Sequence, residues 1–255
     1  MPSTRSASLH TRGELARRAC AEALGTAFLL AVVIGSGVMG ERLAGGNVAI
    51  ALLANTIATG AGLVALILTF GPISGAHFNP AVTIADATQG GIAWREVPVY
   101  VVAQVLGAFG GVLVAHVMFE LPAFSASTHA RAGLSQLVSE FVATFGLLAT
   151  IWGCVRRRAT VVPFAVGAYI TAAYWFTSST SFANPAVTLA RAASDTFAGI
   201  RPLDAPGFIT AQLLGALAAT GLFRWLVPAL PMAAERVVDF VEPAETTERI
   251  RNHAS

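Results

Sequence analysis

Six apolar stretches, each about as long as a bilayer is thick, do most to limit what this chain can become. Inside lipid every backbone amide must find its partner within the protein, so only helices and closed barrels can cross. The stretches cover residues 20–39, 47–70, 98–119, 134–154, 159–176 and 206–230. A helix needs about 20 apolar residues to span a hydrocarbon core of about 30 Å, and a barrel strand only about ten, so these lengths predict an all-α membrane protein with six transmembrane helices. Composition agrees, with 55% hydrophobic and 12% charged residues against about 25% charged in a soluble domain. All 16 basic residues are Arg, and the net charge of +2 is scattered through loops and ends, which leaves no basic face for nucleic acid. The first stretch is followed by five more and reads as a retained helix instead of a cleaved leader. Cys20 and Cys154 fall inside apolar stretches without metal or disulfide spacing. They are expected to be packing residues, with no metal site and no cofactor.

Residues 79–88 and 184–193 are also apolar but too short to cross. At about 1.5 Å per residue each covers about half the core, so two such pieces entering from opposite sides meet at the midplane. They are near copies of one another: NPAVTIAD runs from Asn79 to Asp86 and NPAVTLAR from Asn184 to Arg191. Further echoes pair Glu22-Ala-Leu-Gly-Thr26 with Glu140-Phe-Val-Ala-Thr144, and Ala103-Gln-Val-Leu-Gly-Ala108 with Ala211-Gln-Leu-Leu-Gly-Ala216. The chain is a duplication, with repeats at 20–119 and 134–230. Three spans per repeat is an odd number, so the second copy is inverted, an arrangement that places a permeation site between paired broken helices. Under six spans only Arg42, Arg131, Arg191 and Arg201 fall on one side and the other arginines share the opposite side. The positive-inside rule then makes both ends cytoplasmic, with tails at 1–19 and 231–255 flanking a multi-pass domain in the cell membrane.

Asn-Pro-Ala at the start of each short helix has a mechanical logic. Pro80 and Pro185 at the first helical position give up an N–H that would be unpaired anyway, and Asn79 and Asn184 cap the helix ends. Ala81 and Ala186 complete the motif. Two copies in matched places of a six-span duplication leave little room for an ordinary cap.

ISGAHFNPAVT from Ile73 and SFANPAVT from Ser181 resemble the signature of the aquaporin, or major intrinsic protein, family and its second copy, and the likeness covers most of the chain. The resemblance implies six transmembrane helices plus two re-entrant half-helices as an inverted repeat. It also implies a homotetramer in the lipid bilayer in which each protomer has its own passive pore for water or small uncharged solutes. A ladder of backbone carbonyls would fall on Gly75, Ala76, His77 and Phe78 and on Thr180, Ser181 and Phe182. Glu22 and Glu140 match glutamates that brace the re-entrant loops, which is also the physical default for an acid inside a span. Both half-helices direct positive ends at the midplane, a barrier to protons and cations but not to neutral solutes.

The chain departs from the family at its filter. Most members carry Arg three residues after the second motif Asn, where Val187 stands here, and the matching residue of the first repeat is Val82. Gapless counting puts the second-span filter position at Thr59 and the loop position at Ser181. The fifth-span position is Ala172 by count or Tyr174 by alignment of the span's glycine. Val187, Thr59 and Ser181 lack fixed charge and aromatic wall, which predicts a wider, less discriminating pore. Thr188 stands where glycerol channels carry Asp. In carrying Val187 the chain resembles a bacterial subgroup with an apolar residue at the Arg position, which is associated with neutral metalloids such as arsenite and methylated arsenicals. Arg191 lies on the same helical face as Asn184 and is expected near the wide outer mouth, hydrated and facing the pore, or else bonded to loop carbonyls or to Asp195.

Two rival classes are weaker. Gly35-Ser36-Gly37 with His116 in another span resembles the serine motif of intramembrane proteases only superficially, since Ser36 sits at the end of the first span, no partner motif surrounds His116 and small residues also serve helix packing. An ion channel or a coupled secondary transporter of inverted-repeat type would need intramembrane charges that pair or titrate, and Glu22 and Glu140 already have a bracing role. Flux that ignores pH and sodium gradients separates diffusion from coupling.

Overall fold

The computed structural model describes residues 4–155 and 158–226. The expected tail at 231–255, the last residues of the sixth stretch, and Arg156 and Arg157 lie outside the described residues. Among those described the regular structure is all helical: α1 (Thr4–Leu43), α2 (Val48–Ser74), α3 (Pro80–Gln89), α4 (Val97–Met118), α5 (Leu134–Val155), α6 (Val162–Phe176), α7 (Pro185–Arg191) and α8 (Ala205–Leu226), with 3₁₀ turns leading into α6 and α8. Six of these segments are long and apolar enough to cross a membrane. The first helix starts well before the expected residue 20, because nothing from Thr4 onward breaks it. The second short helix stops at Arg191, two residues before its expected end.

Local chemistry sets the boundaries. Asn47 caps α2 by accepting from the amides of Ala49 and Ile50, and Gly75 in the left-handed region closes it. Asn79 and Asn184 cap α3 and α7, with proline in the first turn of each. Pro163 and Pro206 occupy the starts of α6 and α8.

The duplication appears in the packing. α1 lies against α4 and α2, α5 lies in the same way against α8 and α6, and α2 meets α6 across the pseudo-symmetry axis. Each half-helix also packs on the other repeat's third span, α3 on α8 and α7 on α4. Close helix crossings depend on glycine: a Cβ on Gly107 would strike the carbonyl oxygen of Ala23, and one on Gly215 that of Phe141. Large apolar side chains such as Ile57, Leu106 and Trp175 point outward, as a lipid-facing surface requires. Cys20 also points outward and Cys154 is half-buried, both as free thiols. Cys20 is therefore not the interior packing residue expected from its apolar setting, since it occupies the outer face of its helix.

Candidate functional site

The two half-helices are held by buried carboxylates. Glu22, on α1, is fully buried and accepts from the Ser74 hydroxyl at 2.6 Å, the His77 amide at 3.0 Å, the Phe78 amide at 2.7 Å and the Gln104 side-chain amide at 2.8 Å. Glu140, on α5, accepts from Ser179 at 2.6 Å, from the amides of Phe182 and Ala183 at 2.9 Å, and from Gln212 at 2.6 Å. Gln104 and Gln212 also donate to Thr83 and Thr188 within the half-helices. A charge taken out of water is tolerable only when its lone pairs are filled in this way. The clasps also hold an unusual backbone. Ala76, Phe78, Thr180, Ser181 and Ala183 all have positive φ, a conformation that costs on the order of 1–3 kcal/mol per residue and persists only where surroundings enforce it.

The tips are tied across the repeats. Asn79 Nδ2 donates to the Ala183 carbonyl at 2.8 Å, and Asn184 Nδ2 to the Phe78 carbonyl at 2.7 Å. Their Oδ1 atoms cap the helices, Asn79 accepting from Ala81 and Asn184 from Ala186 and Val187. Pro80, Ala81, Pro185 and Ala186 are buried beneath them.

A cavity of about 730 Å³ runs past both tips. At one end, called inner here, it is bordered by Glu14, Arg18, His77 and Asp86, and at the outer end by Thr59, Tyr174, Ser181, Val187 and Arg191. Gly75, Ala76, Phe78, Phe182, Asn79 and Asn184 line it between. Thr180 does not border it. The Thr180 hydroxyl lies 3.4 Å from an Arg131 nitrogen in the loop wall.

The outer end differs from the expected open filter. Ala172 is on the exposed outer face of α6, whereas Tyr174, two residues and about 200° further round the helix, is buried and faces the cavity. The Tyr174 phenol donates to Thr59 Oγ1 at 3.4 Å, so an aromatic wall is present. A cation is present as well. Arg191 does not stand free at a wide mouth but is 2% exposed. Its Nε donates to the Ala198 carbonyl, and its Cζ lies 3.3 Å from the centroid of the Phe182 ring. Long helical side chains lean back toward the helix start, which brings the guanidinium down from the mouth. It does not pair with Asp195, whose carboxylate accepts instead from the Thr128 amide and hydroxyl. These two bonds hold the Asp195 carboxyl below its ordinary range.

Arg131, in the loop between repeats, escaped the sequence reading as a site residue. It donates to the carbonyls of Gly199 and Ser179 and lies over the Phe182 ring at 5.0 Å, and a single Arg in a polar loop gives no signal of that. Ser74, Ser179, Gln104 and Gln212 also escaped it, although the repeated Ala-Gln-x-Leu-Gly-Ala segment marks both glutamines. The suggested Ser36 and His116 are not partners. Ser36 bonds Val32 and Asn55, and His116 bonds Pro122 and Ser194.

The comparisons agree with this architecture. A family model described as "Major intrinsic protein" matches residues 10–181 and 156–250. Aquaglyceroporin AqpS of Rhizobium meliloti (strain 1021) is 56% identical over 220 residues, 86% of this chain and 94% of that protein. Aquaporin NIP6-1 of Arabidopsis thaliana is 31% identical over 216 residues, covering 82% of this chain and 68% of its own length. Among solved structures, the aquaglyceroporin from Plasmodium falciparum superposes with a TM-score of 0.63 at 23% identity over 85% of this chain and 98% of that one, a likeness of fold.

Proposed function

Since the chain belongs to the major intrinsic protein family, a family of membrane channels for water and small solutes, we propose that its cavity conducts water and small uncharged solutes of glycerol size passively while excluding protons and ions. The observation that carries this is the crossed pair of capped half-helices beside one continuous cavity. One Nδ2 hydrogen of each Asn is used in the crossed bond, and the other is free to donate to a passing oxygen. The carbonyls of Gly75, Ala76, His77 and Phe78 and of Ser181 and Phe182 offer acceptors on either side. Both helix N-termini aim positive potential at the same point, which opposes cations. The name of the 56% identical relative supports glycerol among the permeants, and arsenite and methylated arsenicals belong to the same class of small neutral hydroxylated molecules.

Thr59, Tyr174, Ser181 and Val187 act as the outer filter, Tyr174 bounding its width. The protomers assemble as a homotetramer, with both chain ends cytoplasmic. Exposed Ile57 and Trp175 on α2 and α6 are suited to burial against lipid or neighbouring protomers. Stopped-flow volume changes of proteoliposomes with water, glycerol, urea and arsenite compared side by side test the reading. Flux above protein-free vesicles, insensitive to pH and sodium gradients, is expected. Flux that appears only with an imposed ion gradient would mean coupled transport.

A further inference from the structure

Arg191 is the largest of the fully buried side chains, and its surroundings do not neutralise it. Among the described residues it has no carboxylate within ion-pair distance, and only its Nε finds a protein acceptor, the Ala198 carbonyl. The nearby Glu140 has both oxygens filled by the loop clasp. A cation left in a low-dielectric wall is sustained only if its other N–H groups reach water or solute. Arg191 borders the cavity, and its two terminal nitrogens, which have no protein acceptor among the described residues, are assigned to that lumen.

The guanidinium is also fixed. One face stacks on Phe182, a ring that itself packs edge-on against Phe208 with centroids 5.2 Å apart, and Nε is anchored in the loop after α7. Arg131 adds a second cation over the same ring, tied to loop carbonyls. Val187, one turn earlier on α7, borders the same part of the cavity.

We propose that Arg191 is the charge-selecting residue of this pore, its lumen-facing guanidinium repelling cations and protons at the outer end while donating hydrogen bonds to the oxygens of neutral permeants. The inference rests on the reading as a neutral-solute channel and deepens it. The half-helix ends set a midplane barrier, and Arg191 sets a separate one nearer the outside.

The test measures potassium and proton leak and water and glycerol flux in proteoliposomes carrying the wild-type chain, Arg191→Gln, Arg191→Lys, and the double variant Val187→Arg with Arg191→Gln. The ratio of potassium to water permeability is expected to rise about tenfold in Arg191→Gln, as loss of a close unscreened charge predicts. It should stay near wild type in Arg191→Lys and return toward wild type in the double variant, which puts a cation back one turn away. A conducting Arg191→Gln channel with unchanged ratios overturns the proposal. Should that variant not fold, the wild type decides. External thiocyanate at about 0.1 M is expected to slow glycerol efflux reversibly by occupying the uncompensated cation site, and indifference to it overturns the proposal. If the wild type carries no neutral solute at all, the channel reading itself fails, an outcome distinct from either of these.

Discussion

In the first re-entrant loop Glu22 clasps Ser74, His77, Phe78 and Gln104, and in the second Glu140 clasps Ser179, Phe182, Ala183 and Gln212, bond for bond. The same two loops part company where side chains reach the cavity. His77 answers to Phe182 and Asp86 to Arg191, so the inner end carries an imidazole 3.6 Å from a carboxylate and the outer end a guanidinium on a benzene ring. Duplication kept the parts that hold backbone in place and released the parts that meet solute. Shape at the midplane needs two matched halves. Selectivity needs only that the two ends differ.

The largest effect expected from breaking this match is at the clasps. Glu22→Gln and Glu140→Gln each turn an acceptor oxygen into a donor facing donors, and each is expected to cost about 3 kcal/mol or more. Unfolding of purified protein in detergent checks this, and unequal losses would show that one clasp matters more than the other. Next come the helix crossings. Gly107→Ala and Gly215→Ala press a methyl onto a facing backbone carbonyl and are expected to destabilise by about 1–3 kcal/mol, with matching shifts in the same measurement.

The tips sharpen the comparison further. Asn79→Ala and Asn184→Ala each remove a cap worth about 1 kcal/mol together with one crossed bond. The Asn184 variant should lose more, because Asn184 caps two amides and Asn79 one. Equal losses would make the second amide contact irrelevant.

The smallest effect belongs to the outer loops, which have no inner counterpart. Asp195 is held in its charged form by Thr128. Its carboxyl lies below the unfolded value of about 3.9, so its contribution is complete above that pH and is lost as pH falls through the lowered value. Protection of the Thr128 amide, its exchange rate relative to the intrinsic rate at the same pH, should fall as pH is lowered from about 5 through the lowered carboxyl value, and protection that is the same in wild type and Asp195→Asn at about pH 5 would remove the latch.

Most of the architecture was legible in the sequence, because span length, the odd number of spans per repeat and the doubled Asn-Pro-Ala are consequences of bilayer thickness and helix capping. Glu22 and Glu140 were legible as intramembrane acids in echoing segments. The outer end was not. Choosing between Ala172 and Tyr174 takes the rotation of α6 about its axis, which a two-residue ambiguity in spacing leaves open. Arg191 was placed by its Cα, one turn above Val187, whereas its long side chain leans back and its charge sits elsewhere. Arg131 depends on the path of an irregular loop, for which no periodicity speaks.

The crossed tips also bear on how the molecule is made. Glu22 and all its donors belong to the first repeat, so a nascent chain can close that clasp as soon as α4 has been synthesised. Asn79 cannot be secured then, because its acceptor on Ala183 lies 104 residues downstream. At about 5–20 residues per second of synthesis, the tip of α3 waits roughly 5–20 s for its partner. During that interval a polar amide at membrane depth has only water or the insertion machinery to bond. The midplane is therefore completed only once the second repeat is being made, and a chain stopped before that repeat leaves the ribosome with its first loop clasped and its tip open.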